Sequence, residues 1–158
     1  MSIGFSILPK QKVALSACLL GCLCRYDGKE NLNKILLSQL EDYEIISFCP
    51  EESAFGTPRP TMDLIENNAS IRAISNETSL DLSTPIFDYA QDFFKEHSDI
   101  KLFIGKNRSP SCGVKSAKVY DNNKKILHTH GTGLMAKIAL ELGIECWDSE
   151  VYQANHIS

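Results

Sequence analysis

Six cysteines hold most of the reactive chemistry available to this 158-residue chain. Cys18 directly follows the apolar run 12–17, and Cys49 directly follows the run 44–48. Cys112 lies seven residues beyond Gly105, which closes a third run, 100–105. A thiolate is both a nucleophile and a soft metal ligand. Structural zinc sites normally show C-x₂₋₄-C pairs twice. Here Cys22-x-Cys24 is too close and has no second pair. Iron–sulfur clusters accept more widely spaced cysteines, because a cluster spans more volume than one ion. Three cysteines would leave one iron without a protein ligand, open to act as a Lewis acid. The alternative is burial as inert small hydrophobes. Spacing alone leaves both open.

The loops around these cysteines carry further polar groups. Glu51 stands two residues after Cys49, where it can serve as a general acid or base. Ser109-Pro110-Ser111-Cys112-Gly113 sets two hydroxyls beside a thiol. Arg59, between Pro58 and Pro60, can bind a substrate anion or hydrogen-bond loop carbonyls. Arg108 can meet a nucleotide phosphate or stay solvated. Cys24 reads as a fourth ligand or as a packed thiol supporting Cys18. Cys22 and Cys146 read as bystanders, and Arg25 with Asp27 as a loop ion pair. His97, His128, His130 and His156 read as surface residues, and Trp147 as core. Gly131-Thr132-Gly133 opens a helix and could cradle an anion there.

Elements with a common direction are needed to bring these residues together. Residues 12–17, 44–48, 100–105 and 144–147 read as short buried strands. Helices are expected over 34–41 with Asn33 as cap, from Thr84-Pro85 to about 96, and over 132–142. Their apolar sides carry Ile35, Leu36, Leu37 and Leu40 in the first. Ile86, Tyr89, Ala90, Phe93 and Phe94 line the second, and Leu134, Ile138 and Leu142 the third. Residues 19–31 and 51–60 read as loops, 63–74 as two short strands or a strand with a turn, and 117–128 as a hairpin. The alternation predicts an α/β fold: three layers, a mostly parallel sheet with helices on both faces. Residues 1–158 form one domain, without repeat or linker. Ligands of such sheets bind beyond the carboxyl ends of the strands. Parallel strands would therefore bring Cys18, Cys49 and Cys112 to one edge.

Apolar residues make up 43% of the chain and charged residues 23%, as in an ordinary globular protein. The net charge of −4 gives no reason to expect general nucleic-acid binding. No stretch approaches the roughly 20 apolar residues of a membrane span. The N-terminal apolar runs are split by Pro9-Lys10-Gln11-Lys12, unlike a secretory signal. The expected compartment is the cytoplasm, where thiols stay reduced.

Taken in order, SACLLG followed by CRYDG, then CPE, TPRP, SPSCG and a late GxG resemble the thiouracil desulfidase family. These motifs run from Ser16 to Gly133. The resemblance implies a [4Fe-4S] cluster held by Cys18, Cys49 and Cys112 in a non-redox enzyme. It implies a thiolated pyrimidine or nucleoside as substrate, whose sulfur meets the free iron and is replaced by oxygen. It implies the acid/base role for Glu51 and a substrate contact for Ser109; the reading of the loops themselves adds Ser111, Arg59 and Arg108 as candidate substrate contacts. Glu51 and Ser109 are expected to matter for turnover more than for cluster assembly. The chain departs from the family pattern at Glu52–Gly56, and Asp63 stands where a glutamate is usual. A metal-binding accessory module, or a sulfur carrier with a persulfide on Cys112, would be the alternative functions.

Overall fold

Alternation along the first strand sets the architecture. In β1 (Gln11–Ser16), Val13 and Leu15 face one way and Ala14 the other, and all three are fully buried. A strand buried on both faces must be covered on both. The computed structural model describes residues 10–21, 33–56 and 58–157. β1 lies between β2 (Tyr43–Phe48) and β5 (Ile100–Gly105), and β5 pairs with β8 (Glu145–Asp148). All three pairings are parallel, in the order β2-β1-β5-β8.

One face of this sheet is covered by α1 (Lys34–Gln39) and α5 (Ser149–Asn155). There Leu36, Leu40 and Tyr152 pack on Val13, Leu15, Leu102 and Ile104. The other face is covered by α3 (Ser83–Glu96) and α4 (Leu134–Glu141). There Ala90, Phe93, Phe94, Met135 and Ala139 pack on Ala14, Phe48 and Phe103. The two faces account for the expected parallel layer with helices on both sides.

The molecule then adds a second sheet. β3 (Met62–Asn67) and β4 (Ser70–Ser75) form an antiparallel hairpin, as do β6 (Ala117–Tyr120) and β7 (Ile126–Gly131). The hairpins join through a parallel β3–β6 pairing in the order β4-β3-β6-β7. Met62, Leu64, Ala73, Ala117 and Val119 point at Ile86 of α3 and Leu134 of α4. Helices α3 and α4 are thus an inner layer, and the second sheet adds a fourth layer to the three expected.

Other differences from the sequence reading are local. The segment after Cys49, read as loop, opens with α2 (Pro50–Phe55), where proline takes the first turn and Glu51 and Glu52 follow. Helix α3 begins at Ser83, with Leu82 as cap, rather than at Thr84. Ile35 and Leu142 are 59% and 58% exposed rather than core-facing. Trp147 is only partly buried, and the final helix α5 was not foreseen. The Asn33 cap is present: its Oδ1 accepts the Leu36 N–H at 3.0 Å. Cys22, Cys24, Arg25 and Asp27 lie outside the described residues.

The sharpest steric constraint is at the end of β5. A Cβ built on Gly105 would lie 1.7 Å from the Cys112 carbonyl oxygen and 2.7 Å from its carbon. Both are backbone atoms, so only a shift of the main chain could relieve the clash. Gly105→Ala should therefore destabilise the fold by about 1–3 kcal/mol or more. That corresponds to a thermal midpoint lower by roughly 2–12 °C for a chain of this length. A midpoint unchanged by calorimetry would mean that the loop does not press on the strand.

Candidate active site

Each cysteine loop leaves the same edge of the parallel sheet. β1 ends at Ser16, and a single 3-10 turn, Ala17–Leu20, carries Cys18. β2 ends level with it, since Ser16 pairs with Phe48, and Cys49 follows at once. β5 ends at Gly105, and its loop is tied to β1 by the Lys106 N–H, donated to Ser16 Oγ at 3.0 Å. Cys18, Cys49 and Cys112 line one cavity of about 240 Å³. Glu51, Arg59, Arg108, Ser109 and Ser111 border it too, so every residue singled out for the site converges there. Asp63 does not line it. None of the four described cysteines forms a disulfide.

The loop bearing Cys112 is fixed from several sides. Ser109 Oγ accepts the N–H groups of Ser111 at 3.3 Å and Cys112 at 3.0 Å. Gly133 packs against it so closely that a Cβ there would lie 2.5 Å from the Ser111 carbonyl carbon. The first N–H groups of α4 donate into the loop: Leu134 to Pro110 O at 3.1 Å and Met135 to Ser111 O at 2.8 Å. The opening of α4 is therefore occupied by carbonyls, which corrects the anion-cradle reading of Gly131-Thr132-Gly133. Past Cys112, the buried carboxylate of Asp148 accepts the Val114 N–H at 2.7 Å, the Lys115 N–H at 2.8 Å and the Ser116 hydroxyl at 2.7 Å. Asp148 was not singled out in the sequence. Its only signal was its position at the end of a strand on the same sheet edge.

Cys49 caps α2 in an extended conformation, and its N–H donates to the Tyr89 hydroxyl oxygen at 3.1 Å. That turn delivers Glu51 to the cavity. Its Oε2 accepts the Ser111 hydroxyl at 2.7 Å, and its Oε1 lies 3.5 Å from Arg59 Nε. The Arg59 side chain is 4% exposed. It also pairs with Glu52 Oε2 at 3.2 Å and donates to the Gly56 carbonyl at 2.8 Å. Of its two sequence readings, the loop-bonding one describes these contacts. Arg108 has a left-handed backbone, φ +68°, at the rim, and its exposed guanidinium pairs with Glu150 at 2.8 Å. Lys106 lines the cavity between them and was missed, since nothing marks a lone lysine after a strand.

Burial pushes the Cys18 thiol up to about 11; Lys106 opposes the rise and Cys49 adds to it. Burial raises the Cys112 thiol further, against the Ser111 hydroxyl 3.3 Å from its sulfur, and Glu51, Cys49 and Cys18 add to the rise. The three sulfurs are thus within electrostatic reach of one another. Yet among the described residues no three His, Cys, Asp or Glu side chains are placed to hold a single metal ion. Three soft donors around one cavity are a donor set that an iron–sulfur cluster accepts.

Comparison with known proteins gives the same direction. A family model described as 2-thiouracil desulfurase matches residues 13–150. A solved structure of a [4Fe-4S]-dependent thiouracil desulfidase, TudS, matches with a TM-score of 0.69 and 26% identity. That match covers 89% of this chain and 92% of the other. No curated protein matches significantly.

Thiol reactivity checks this geometry. In metal-free protein, iodoacetamide should modify the half-buried Cys18 and Cys49 before the buried Cys112. With a thiol near 11, Cys18 alkylation should still rise about tenfold per pH unit between pH 8 and 10. A free thiol would level off near 8.5. Asp148→Ala leaves two N–H groups and a hydroxyl without their acceptor, at about 1–3 kcal/mol each. It should lower the thermal midpoint and bring Cys112 labelling forward. Labelling of Cys112 first in the wild-type protein, followed by mass spectrometry, would contradict the arrangement.

Proposed function

We infer the reaction of this chain from a plain premise: it belongs to the 2-thiouracil desulfurase family. It is an iron–sulfur-dependent enzyme that desulfurates thiouracil, and its finer substrate range includes thiolated pyrimidine nucleosides. The thiocarbonyl and water become a carbonyl and hydrogen sulfide, a hydrolysis-like exchange without change of oxidation state. The observation that carries this reading is the meeting of Cys18, Cys49 and Cys112 with Glu51 and Ser109 in one cavity. When bound, a [4Fe-4S] cluster held by those three thiolates supplies a Lewis-acidic iron suited to a soft sulfur.

The remaining work falls to this chain's own groups. Glu51 moves a proton between the attacking water and the leaving sulfide. Ser109 Oγ already accepts two backbone N–H groups, so its hydroxyl is left as a donor that a heteroatom lone pair of the ring can accept when the substrate binds. Arg59 holds Glu51 Oε1 and the following turn. Arg108, held by Glu150, and Lys106 border the cavity, where their N–H groups can meet a polar ring substituent. A persulfide carrier would need an activated Cys112, whereas burial makes this thiol a poor nucleophile. No described helix is long and apolar enough to cross a membrane. Ligand thiols that must stay reduced suit the cytoplasm.

Anaerobic purification with iron and sulfide assays, then incubation with 2- and 4-thiouracil, tests the reading. Brown protein that releases sulfide is expected, and colourless protein without turnover after reconstitution would end it. Cys18→Ser, Cys49→Ser and Cys112→Ser should each lose most of the iron, while Cys146→Ser keeps it. Equal iron in all four would move the ligands elsewhere.

Glu51→Gln should keep the visible absorption and slow sulfide release by about 10²–10⁴-fold. Near wild-type release would remove Glu51 from the acid/base role. Ser109→Ala strips the Cys112 N–H of its acceptor and should lose cluster as well as rate. The expectation that Ser109 matters more for turnover than for cluster assembly is thereby revised in this proposal. Full iron loading in Ser109→Ala would restore it.

A further inference from the structure

Ser111 stands at the centre of the cavity's hydrogen bonds and has no accessible surface of its own. Its Oγ lies 2.7 Å from Glu51 Oε2, 3.1 Å from Ser109 Oγ and 3.3 Å from Cys112 Sγ. A hydroxyl offers one proton and two lone pairs. At Ser109 both lone pairs are used, by the N–H groups of Ser111 and Cys112. The Ser109 proton must therefore point away from those two N–H groups, and Ser111 Oγ is the acceptor within reach. Glu51 Oε2 is in turn the shortest acceptor for the Ser111 proton. The bonds run one way: Ser109 to Ser111, and Ser111 to Glu51. The carboxylate is then gripped at both ends, by Ser111 at one oxygen and by Arg59 at the other.

We propose that Ser111 is a positioning residue and not a substrate contact: it fixes the Glu51 carboxylate and takes the resting Ser109 proton, so that the two groups act as one unit. This role replaces the reading of Ser111 as a substrate contact: Ser111 borders the cavity, but its side chain is fully buried and its hydroxyl is engaged by Glu51 and Ser109. A ring acceptor that binds Ser109 takes over the proton that Ser111 held. Ser111 keeps its own proton on Glu51, and the carboxylate stays aimed while the substrate enters. The effect on rate rests on the desulfuration reading above; the effect on Glu51 geometry does not.

The test compares cluster-replete, anaerobically prepared wild type, Ser111→Ala, Glu51→Gln and the double variant. Ser111→Ala should keep iron, sulfide and visible absorption, because Ser109 Oγ still holds the Cys112 N–H. Its kcat with thiouracil should fall about 10–100-fold, the loss expected for a hydrogen bond to a charged group. KM should change by less than about twofold, as for an interaction that acts on the chemical step. The double variant should be no slower than Glu51→Gln alone, since Ser111 acts through Glu51. In a crystal structure of Ser111→Ala, the Glu51 carboxylate should leave its wild-type position while the Cys112 backbone stays.

Losses that multiply in the double variant, or a Glu51 carboxylate that does not move, would overturn the proposal. Should wild-type protein release no sulfide from thiouracils, the reaction reading would fall, and the crystal comparison would still decide the role of Ser111.

Discussion

The two peptides on either side of Cys112, Ser111–Cys112 and Cys112–Gly113, are wedged between two glycines, and the site depends on that wedge. Gly105 leaves room for the Cys112 carbonyl, and Gly133 leaves room for the Ser111 carbonyl. Side chains at either position would push out the loop that carries Cys112. The wedge also completes the helix behind it, because a helix start has N–H groups without partners of its own. Pro110 and Ser111 carbonyls take those N–H groups in α4. One loop thus serves as strand exit, helix cap and ligand arm, and none of the three can move alone.

The same loop explains why the site is costly when bare. Two of its thiols are pushed toward the neutral form by burial, and each thiolate would also repel the others and Glu51. Lys106 offsets part of this at Cys18. A cationic cluster would offset far more, and its binding must release thiol protons. The cysteines proposed to hold it follow the ends of β1, β2 and β5, so the bound group would also cross-link three adjacent strands. A group that binds only the folded chain stabilises it by mass action. Folding and cofactor loading are therefore linked through the edge that carries the chemistry.

Much of this edge was legible in the sequence. Cys18 and Cys49 directly follow apolar runs, and parallel strands leave such residues no choice of edge. The runs themselves were clear because strands buried on both faces read as unbroken apolar segments, and β5 falls on the residues expected of it. Helix α2 was obscured by prolines and glycines that also mark loops, although proline at the first turn followed by acids is a start signal. Arg59 illustrates a different limit. Its charge suggested a substrate anion, but its partners Glu51 and Glu52 are eight and seven residues away, and only the α2 turn brings them under it. Asp148 was silent because a single acid after a strand has no pattern, while its three donors come from a loop more than 30 residues earlier.

The second sheet is the feature that local pattern could not supply, and its place can be argued from what it supports. Its hairpins pair through β3 and β6, which are far apart in the chain, and only that pairing turns two hairpins into one surface. This surface packs on α3 and α4 from the side opposite the parallel sheet. Both helices touch cysteine loops: α3 through the Tyr89 hydroxyl on the Cys49 N–H, and α4 through its opening turn on Pro110 and Ser111. A helix clamped on one face only could slide along the sheet, carrying those contacts with it. Packed on two faces at interior density, it has no such freedom. The outer sheet lies away from the cavity and contributes no residue to it. Its consequence for chemistry is indirect: it holds still the two helices that hold two of the three cysteine loops.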